Sequence, residues 1–297
     1  MNFKRVLYRL RNLLLTPLLD ATHGTAASDV ASQFMLKLMY QQLARSGGPL
    51  PPLAEVGFKV YSQTDEDGIL LFIFALLGAP HKRCVEICAG NGIECNTANL
   101  IIQHGWTGLL VDGNPEQVAI GQRFYERHRA TYVAPPQFIQ AWVTRTNIND
   151  LLRQNGWEGE IDLLSLDMDG VDYWIWEAIN VISPRVVVLE YNHILGPERA
   201  WTVPYVDNFD AYQYPRTKGF ANFFGASLLA FVNLARHKNY RLVGVSRYNQ
   251  NAFFVHNDLA QSVLPEVSAE TCFNHPISVW SMKERFPLVQ DLPWVKL

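Results

Sequence analysis

Short apolar runs rich in β-branched residues alternate along most of the chain with stretches whose apolar positions recur at helical spacing. The runs Arg83–Cys88, Gly108–Asp112, Phe138–Val143, Ile161–Asp167, Val186–Tyr191, Tyr240–Ser246 and Asn251–Val255 read as strands, with helices between most of them. That alternation predicts a parallel sheet covered by helices on both faces. Only the polar stretch Arg247-Tyr248-Asn249-Gln250 separates the last two runs, so they form a hairpin. The expectation is an α/β protein with a doubly wound, mostly parallel seven-stranded sheet containing one antiparallel strand.

The first 52 residues have a different pattern. Phe3, Val6, Leu7, Leu10, Leu13, Leu14 and Leu18 recur at helical spacing, while Lys4, Arg5, Arg9 and Arg11 fill the other face. Thr16-Pro17 restarts the helix, with Pro17 at a first helical position. A second helix over Ser28–Ala44 places Ala31, Phe34, Met35, Leu38, Met39 and Leu43 on one face. It ends in the breaker run Ser46-Gly47-Gly48-Pro49-Leu50-Pro51-Pro52. The chain therefore divides into a helical extension, 1–52, and a main domain, 53–297. Two readings of the first helix stay open. It packs on the main domain or on a second subunit of a homo-oligomer, or residues 1–19 lie peripherally on an anionic membrane surface. A secretory signal fits poorly, because the apolar core Leu13–Leu19 is short and contains Pro17.

Composition narrows the function classes. The 297 residues carry 25 Lys and Arg against 28 Asp and Glu, a net charge of −3 that supplies no field for wrapping a nucleic-acid backbone. No apolar run reaches the roughly 18 residues needed to span a bilayer. The four cysteines, Cys84, Cys88, Cys95 and Cys272, are too few for a disulfide scaffold and lack zinc-hook spacing. They point to buried thiols in a reducing, cytoplasmic compartment.

In an open sheet of this type ligands bind beyond the carboxyl ends of the strands. The residues there are Glu86-Ile87-Cys88-Ala89-Gly90-Asn91-Gly92, Asp112-Gly113-Asn114, Asp167-Met168-Asp169-Gly170 and Glu190-Tyr191-Asn192. Gly90 and Gly92 permit a sharp turn and close approach to a ligand, and Asp112 is placed to grip two ribose hydroxyls. A nicotinamide dinucleotide fits less well. Its third glycine is Cys95, and Glu86 and Glu94 would face a pyrophosphate. A cationic nucleoside without phosphates, such as S-adenosylmethionine, suits acidic surroundings.

VEICAGNG (85–92) resembles the first motif of class I methyltransferases, and the chain is similar to FkbM-like methyltransferases. The blocks that carry the resemblance are YSQTDEDGI (61–69), ECNTANL (94–100), GWTGLLVDGN (105–114), DLLSLDMDGVDYWIW (162–176), PRVVVLEYN (184–192), FFGASL (223–228) and NAFFV (251–255). It spans about residues 57–257 and implies a Rossmann-like methyltransferase fold binding S-adenosylmethionine. Glu86 and Gly90 then border the methionine end, Asp112 binds ribose, and Asp167 flanks the cofactor near the methyl group, with Gln63 against it. Gly92 and Gly113 complete the cradle. Cys88 stands where the family's first motif glycine is expected, and its side chain narrows the cradle.

Asp167 and Asp169 end one strand, and Glu190 and Asn192 end its neighbour. Adjacent parallel strands lie about 4.8 Å apart, so these four oxygen donors converge on a point suited to Mg²⁺ or Mn²⁺. Without a metal, Asp169 is the first general-base candidate and His193 the second. Asp172, Tyr173, Trp174 and Trp176 open the next helix, either as core aromatics with a capping acid or in contact with substrate. The segment 201–224 holds eight aromatic residues together with Asp207 and Asp210, which reads as an ordered lid suited to a sugar ring. The leading expectation is O-methylation of a small-molecule or glycan acceptor. The competing expectations are a non-catalytic scaffold retaining the cofactor fold and a nicotinamide-dependent oxidoreductase.

Overall fold

The structure, a computed structural model, describes residues 27–297. The basic amphipathic stretch within residues 1–19 lies outside the described residues. Seven strands form the main sheet: β1 Arg83–Ile87, β2 Thr107–Asp112, β3 Gln137–Gln140, β4 Gly159–Leu166, β5 Ile182–Glu190, β6 Tyr240–Val245 and β7 Asn251–His256. Their order is β3-β2-β1-β4-β5-β7-β6. β1 to β5 pair in parallel, and β7 runs antiparallel to both β5 and β6. This is a doubly wound, Rossmann-like sheet, with the order reversing beside β1. The hairpin is present and carries a register shift between Phe253 and Phe254.

Side chains alternate across a strand, so a sheet buried on both sides needs apolar residues at successive positions. Leu164, Leu166, Val187 and Leu189 enter one core layer with Trp176 and Phe231, while Leu163, Val186 and Val188 enter the other with Ile69 and Ile101. The first layer is covered by α5 Ile148–Gln154, α6 Asp172–Ala178 and α7 Leu228–His237, the second by α2 Glu66–Leu77, α3 Ala98–His104 and α4 Pro115–Arg127. Sequence signals fix several of these starts. Asn114 caps α4 by accepting from the Glu116 and Gln117 amides ahead of Pro115, and Ser227 caps α7 by accepting from the Ala230 amide.

The helix expected over Ser28–Ala44 is α1, Ala27–Ser46. Its packed side differs from the expected one. Gln33 and Tyr40 are buried, Gln33 bonding with Asn99 and His104, and Tyr40 meeting the Phe72 ring edge-on at 4.9 Å. Phe34, Met35, Leu38 and Met39 face outward instead. Gln33 can occupy the inner face because a hydrogen-bonding pair on α3 satisfies its amide.

After β7 the chain forms a strap behind the segment 201–224. α8, Pro276–Glu284, sets Ser281 against His193, and Arg285 donates to Asn222 Oδ1 and the Ala221 carbonyl. Val295–Lys296 pairs with Trp201–Thr202. Trp294 lies edge-on to Phe223 at 4.4 Å, and its indole donates to the Val289 carbonyl. Trp294→Ala is expected to lower stability by about 3–5 kcal/mol, the cost of losing a large buried aromatic. Urea unfolding measures that loss, and limited proteolysis should then cut first within 201–224.

Candidate functional site

Two hollows open at the carboxyl edge of the sheet. The larger, about 480 Å³, lies among the loops after β1 to β4 and the segment 201–224; Asp112, Trp142, Asp169 and Phe209 mark its walls. The smaller, about 130 Å³, sits over the turn after β1, between Glu86, Gly90, Asn96 and Asn251. Gln63, Cys88 and Asp167 line both, so the hollows meet there. Among the described residues, no Lys, Arg or His lines either one.

Hydrogen bonds to acids build the floor. Glu86 is buried, and its carboxylate accepts from the Asn96 and Thr97 amides and from the Thr97 and Ser165 hydroxyls. It thereby fixes the turn that leads into α3. Gly90 at φ +56° donates its amide to Asp112 Oδ2 at 2.8 Å, and Asp112 Oδ1 accepts from the Asn114 amide at 2.7 Å. The loops after β1 and β2 are thus tied together by the residue expected to hold ribose. Gly92, also at positive φ, has no room for a Cβ, which would sit 2.7 Å from Leu110 Cδ1. Gly113 lies under the Trp142 ring, and a Cβ there would be 3.0 Å from it. Cys95 is buried, its thiol against the Gly92 carbonyl, where a third glycine would otherwise bring the helix closer.

The segment 60–67 closes one side. Asp67 is buried and accepts from the amides of Val60, Tyr61 and Ser62, and Glu66 accepts from Asn251 on β7. Those bonds hold the loop that presents Gln63 at the junction. Burial outweighs them at Asp67, whose pKa is pushed up to about 6.

Asp167, Asp169 and Glu190 gather at the ends of β4 and β5, with one ligand oxygen from each within 4.8 Å of the others. Asp172 holds the intervening turn, accepting from the Met168 and Gly170 amides, and Asp169 sits there at φ +52°. Glu190 Oε2 is buried with no donor to satisfy it. Burial and the neighbouring acids push Asp167 up to about 7 and Glu190 well above the usual carboxylate range; burial also raises Asp169. Asp167 and Glu190 are close enough to share one proton between them.

Two expected members of the site are elsewhere. Asn192 is buried with Nδ2 on the Asn222 and Phe224 carbonyls and Oδ1 on the Ile194 amide, so it braces the segment 201–224 rather than joining the carboxylates. His193 is buried against Ser281, and desolvation and the nearby Arg285 charge lower its pKa to about 4. It lines neither hollow and is held as a neutral packing residue. Tyr173 and Trp176 are core aromatics, Trp174 is half-buried with its indole donating to the Val203 carbonyl, and Asp172 holds the preceding turn rather than capping its helix. Cys84, Cys95 and Cys272 are buried as expected, while Cys88 is open to the cleft at φ +61°.

Trp142 is a wall of the site that the sequence pattern does not single out. It lies just after β3, and its indole donates to the Asp207 carbonyl across the mouth of the larger hollow. A bulky aromatic two residues beyond a strand end, at the functional edge of the sheet, is the available signal. Asn96 and Asn251 are visible in the sequence only as members of longer motif blocks.

No family model matches the chain, and no curated protein matches it. Among solved structures, an O-methyltransferase from Bacillus cereus in complex with SAH is 12% identical, over 75% of this chain and 89% of its own, at a TM-score of 0.40. PKMT2 from Rickettsia typhi in complex with AdoHcy is 12% identical, over 68% and 55%, at 0.43. The magnesium protoporphyrin IX methyltransferase from Synechocystis with bound SAM is 11% identical, over 76% and 80%, at 0.35. The fold assignment rests on the strand order and register of the sheet, independently of these likenesses.

The acid cluster makes a signed prediction. A glutamate whose folded pKa exceeds its ordinary value of 4.5 favours folding while protonated, and that contribution is lost as pH rises through the folded value. Glu190→Gln should therefore stabilise the protein at pH 8 by at least about 1 kcal/mol, a gain of a few degrees in Tm, and change it little at pH 5. Thermal unfolding at the two pH values checks this.

Proposed function

We propose that the protein is an S-adenosylmethionine-dependent O-methyltransferase of FkbM-like type acting on a hydroxyl of a sugar, a glycan or a glycosylated natural product. The observation that carries this reading is the two-lobed cleft, rich in carboxylates and without a basic side chain among the described residues, whose lobes meet at Gln63, Cys88 and Asp167. A dinucleotide would need donors for its pyrophosphate, whereas a sulfonium nucleoside with an amino-acid tail needs acids. The adenosine end fits the larger lobe, with Asp112 on the ribose hydroxyls and Trp142 facing Gly113 around the base. The amino-acid end fits the smaller lobe, near Glu86, Gly90 and Asn96.

The acceptor end is the acid cluster, with Met168, Asp207 and Phe209 beside it. Three hard oxygen donors, one of them a buried Glu190 oxygen lacking a donor, fit a divalent cation such as Mg²⁺ or Mn²⁺ held by Asp167, Asp169 and Glu190. Bound there, the cofactor supplies an electrophilic methyl group and the cation a Lewis acid that acidifies a hydroxyl. With no cation held there, Asp169, the most open of the three, takes the proton that the hydroxyl loses on becoming an ether. Phe209 offers an apolar face to a sugar ring, and Asp207 offers it a hydrogen-bond acceptor.

Calorimetric titration of the full chain with S-adenosylmethionine and its demethylated product tests the cofactor. Micromolar binding is expected, and Asp112→Ala should weaken it about 10- to 100-fold, the range for a lost pair of charge-assisted hydrogen bonds. Absence of binding by folded protein would favour the scaffold reading, and quenched nicotinamide fluorescence the oxidoreductase reading. Titration with Mg²⁺ or Mn²⁺ alone tests the cluster. Asp169→Asn should lower cation affinity about tenfold or more while leaving product binding nearly unchanged.

A further inference from the structure

α1 buries Gln33 and Tyr40 and leaves Met35 67% exposed, Leu38 58% and Met39 47%, with Phe34, 49% exposed, beside them and one side of its ring against His104. They sit at i, i+1, i+4 and i+5, one stripe along the helix side opposite the packed one. A run of this size has no place on an ordinary soluble surface unless something covers it. The charge distribution indicates what. Residues 1–46 hold Lys4, Arg5, Arg9, Arg11, Lys37 and Arg45 against only Asp20 and Asp29, a net +4. The remainder of the chain, with the whole at −3, carries −7. In the sequence, basic charge is concentrated in the part of the chain that contains α1, and the rest of the protein is acidic.

We propose that the Phe34-Met35-Leu38-Met39 face of α1, together with the basic stretch preceding it, docks the protein on an anionic lipid surface. The apolar side chains enter the headgroup boundary, and the Lys and Arg side chains meet lipid phosphates and carboxylates. A second copy is the weaker occupant, because it would bring the same +4 segment against its own image. The acidic main domain is repelled by the same surface, so contact is confined to the extension. Docking through α1 does not depend on the reaction proposed for the cleft.

Flotation of the full-length protein with vesicles tests it, using phosphatidylcholine alone and phosphatidylcholine with about one-third phosphatidylserine. The bound fraction should be at least about fivefold higher on the anionic vesicles and should fall as salt is raised. The double variant Met35→Ser/Leu38→Ser should lose most of that binding with an unchanged circular-dichroism spectrum and Tm, since these are the two most exposed positions of the stripe. No flotation with anionic vesicles overturns the proposal. So does flotation that is equal for the double variant, which would assign docking to the basic stretch without α1. A dimer in light scattering that the double variant dissociates, without vesicle binding, would give the face to a second copy.

Discussion

Parallel strands that end side by side bring their succeeding residues into contact, and beyond β4 and at the end of β5 those residues are acids. Burial and mutual repulsion raise the pKa values of Asp167 and Glu190, so the cluster favours a shared proton or a positive partner over three bare charges. Much of the surrounding architecture serves to keep that arrangement in place. Asp172 uses its carboxylate on the Met168 and Gly170 amides, which fixes the turn between the two aspartates. Asn192 commits its side-chain amide to the backbone of the segment 201–224, which fixes the exit from β5. Crowded carboxylates oppose folding near neutral pH, and the buried sheet beneath them supplies the compensating stability.

The same logic explains the use of acids elsewhere around the cleft. Glu86, Asp67 and Asp112 each accept from backbone amides of irregular loops, groups that have no ladder partner and would otherwise be unsatisfied. These three bind loop to loop, so the cleft walls are set by a few carboxylates rather than by apolar packing alone. A consequence is a negative interior that disfavours phosphate and favours a positive ligand. Shape and electrostatics therefore select in the same direction.

The sheet was legible because its signals are local and redundant. A run such as Val186-Val187-Val188-Leu189 can only be a strand buried on both faces, and Asn114-Pro115 is a strong helix start. The cleft's glycines and Asp112 were equally readable, because strand-to-helix turns concentrate such residues. The features that escaped were set by tertiary partners. Nothing local distinguishes Asn192, which binds the backbone of the segment 201–224, from Glu190 two residues earlier, nor shows that Ser281 lies opposite His193. α1 presented two candidate faces, and the choice between them depended on Asn99 and His104, 66 and 71 positions away from Gln33.

Cys88 brings the backbone, the electrostatics and the shape of the cleft together at one residue. Its φ of +61° is a conformation that glycine adopts freely and a side chain adopts at a cost of about 1–2 kcal/mol, so the fold retains the glycine-type backbone without the glycine. Cys88 lines both hollows, at the place where they meet. Burial and the surrounding Asp172, Asp112, Asp167 and Asp169 charges push its pKa far up, so it stays a neutral thiol. A small, uncharged and polarizable group at the junction adds no further negative charge to a site already crowded with it. In the proposed function, that leaves the acids as the only charges facing the sulfonium, while the thiol sets the width of the passage between the two ends of the cofactor.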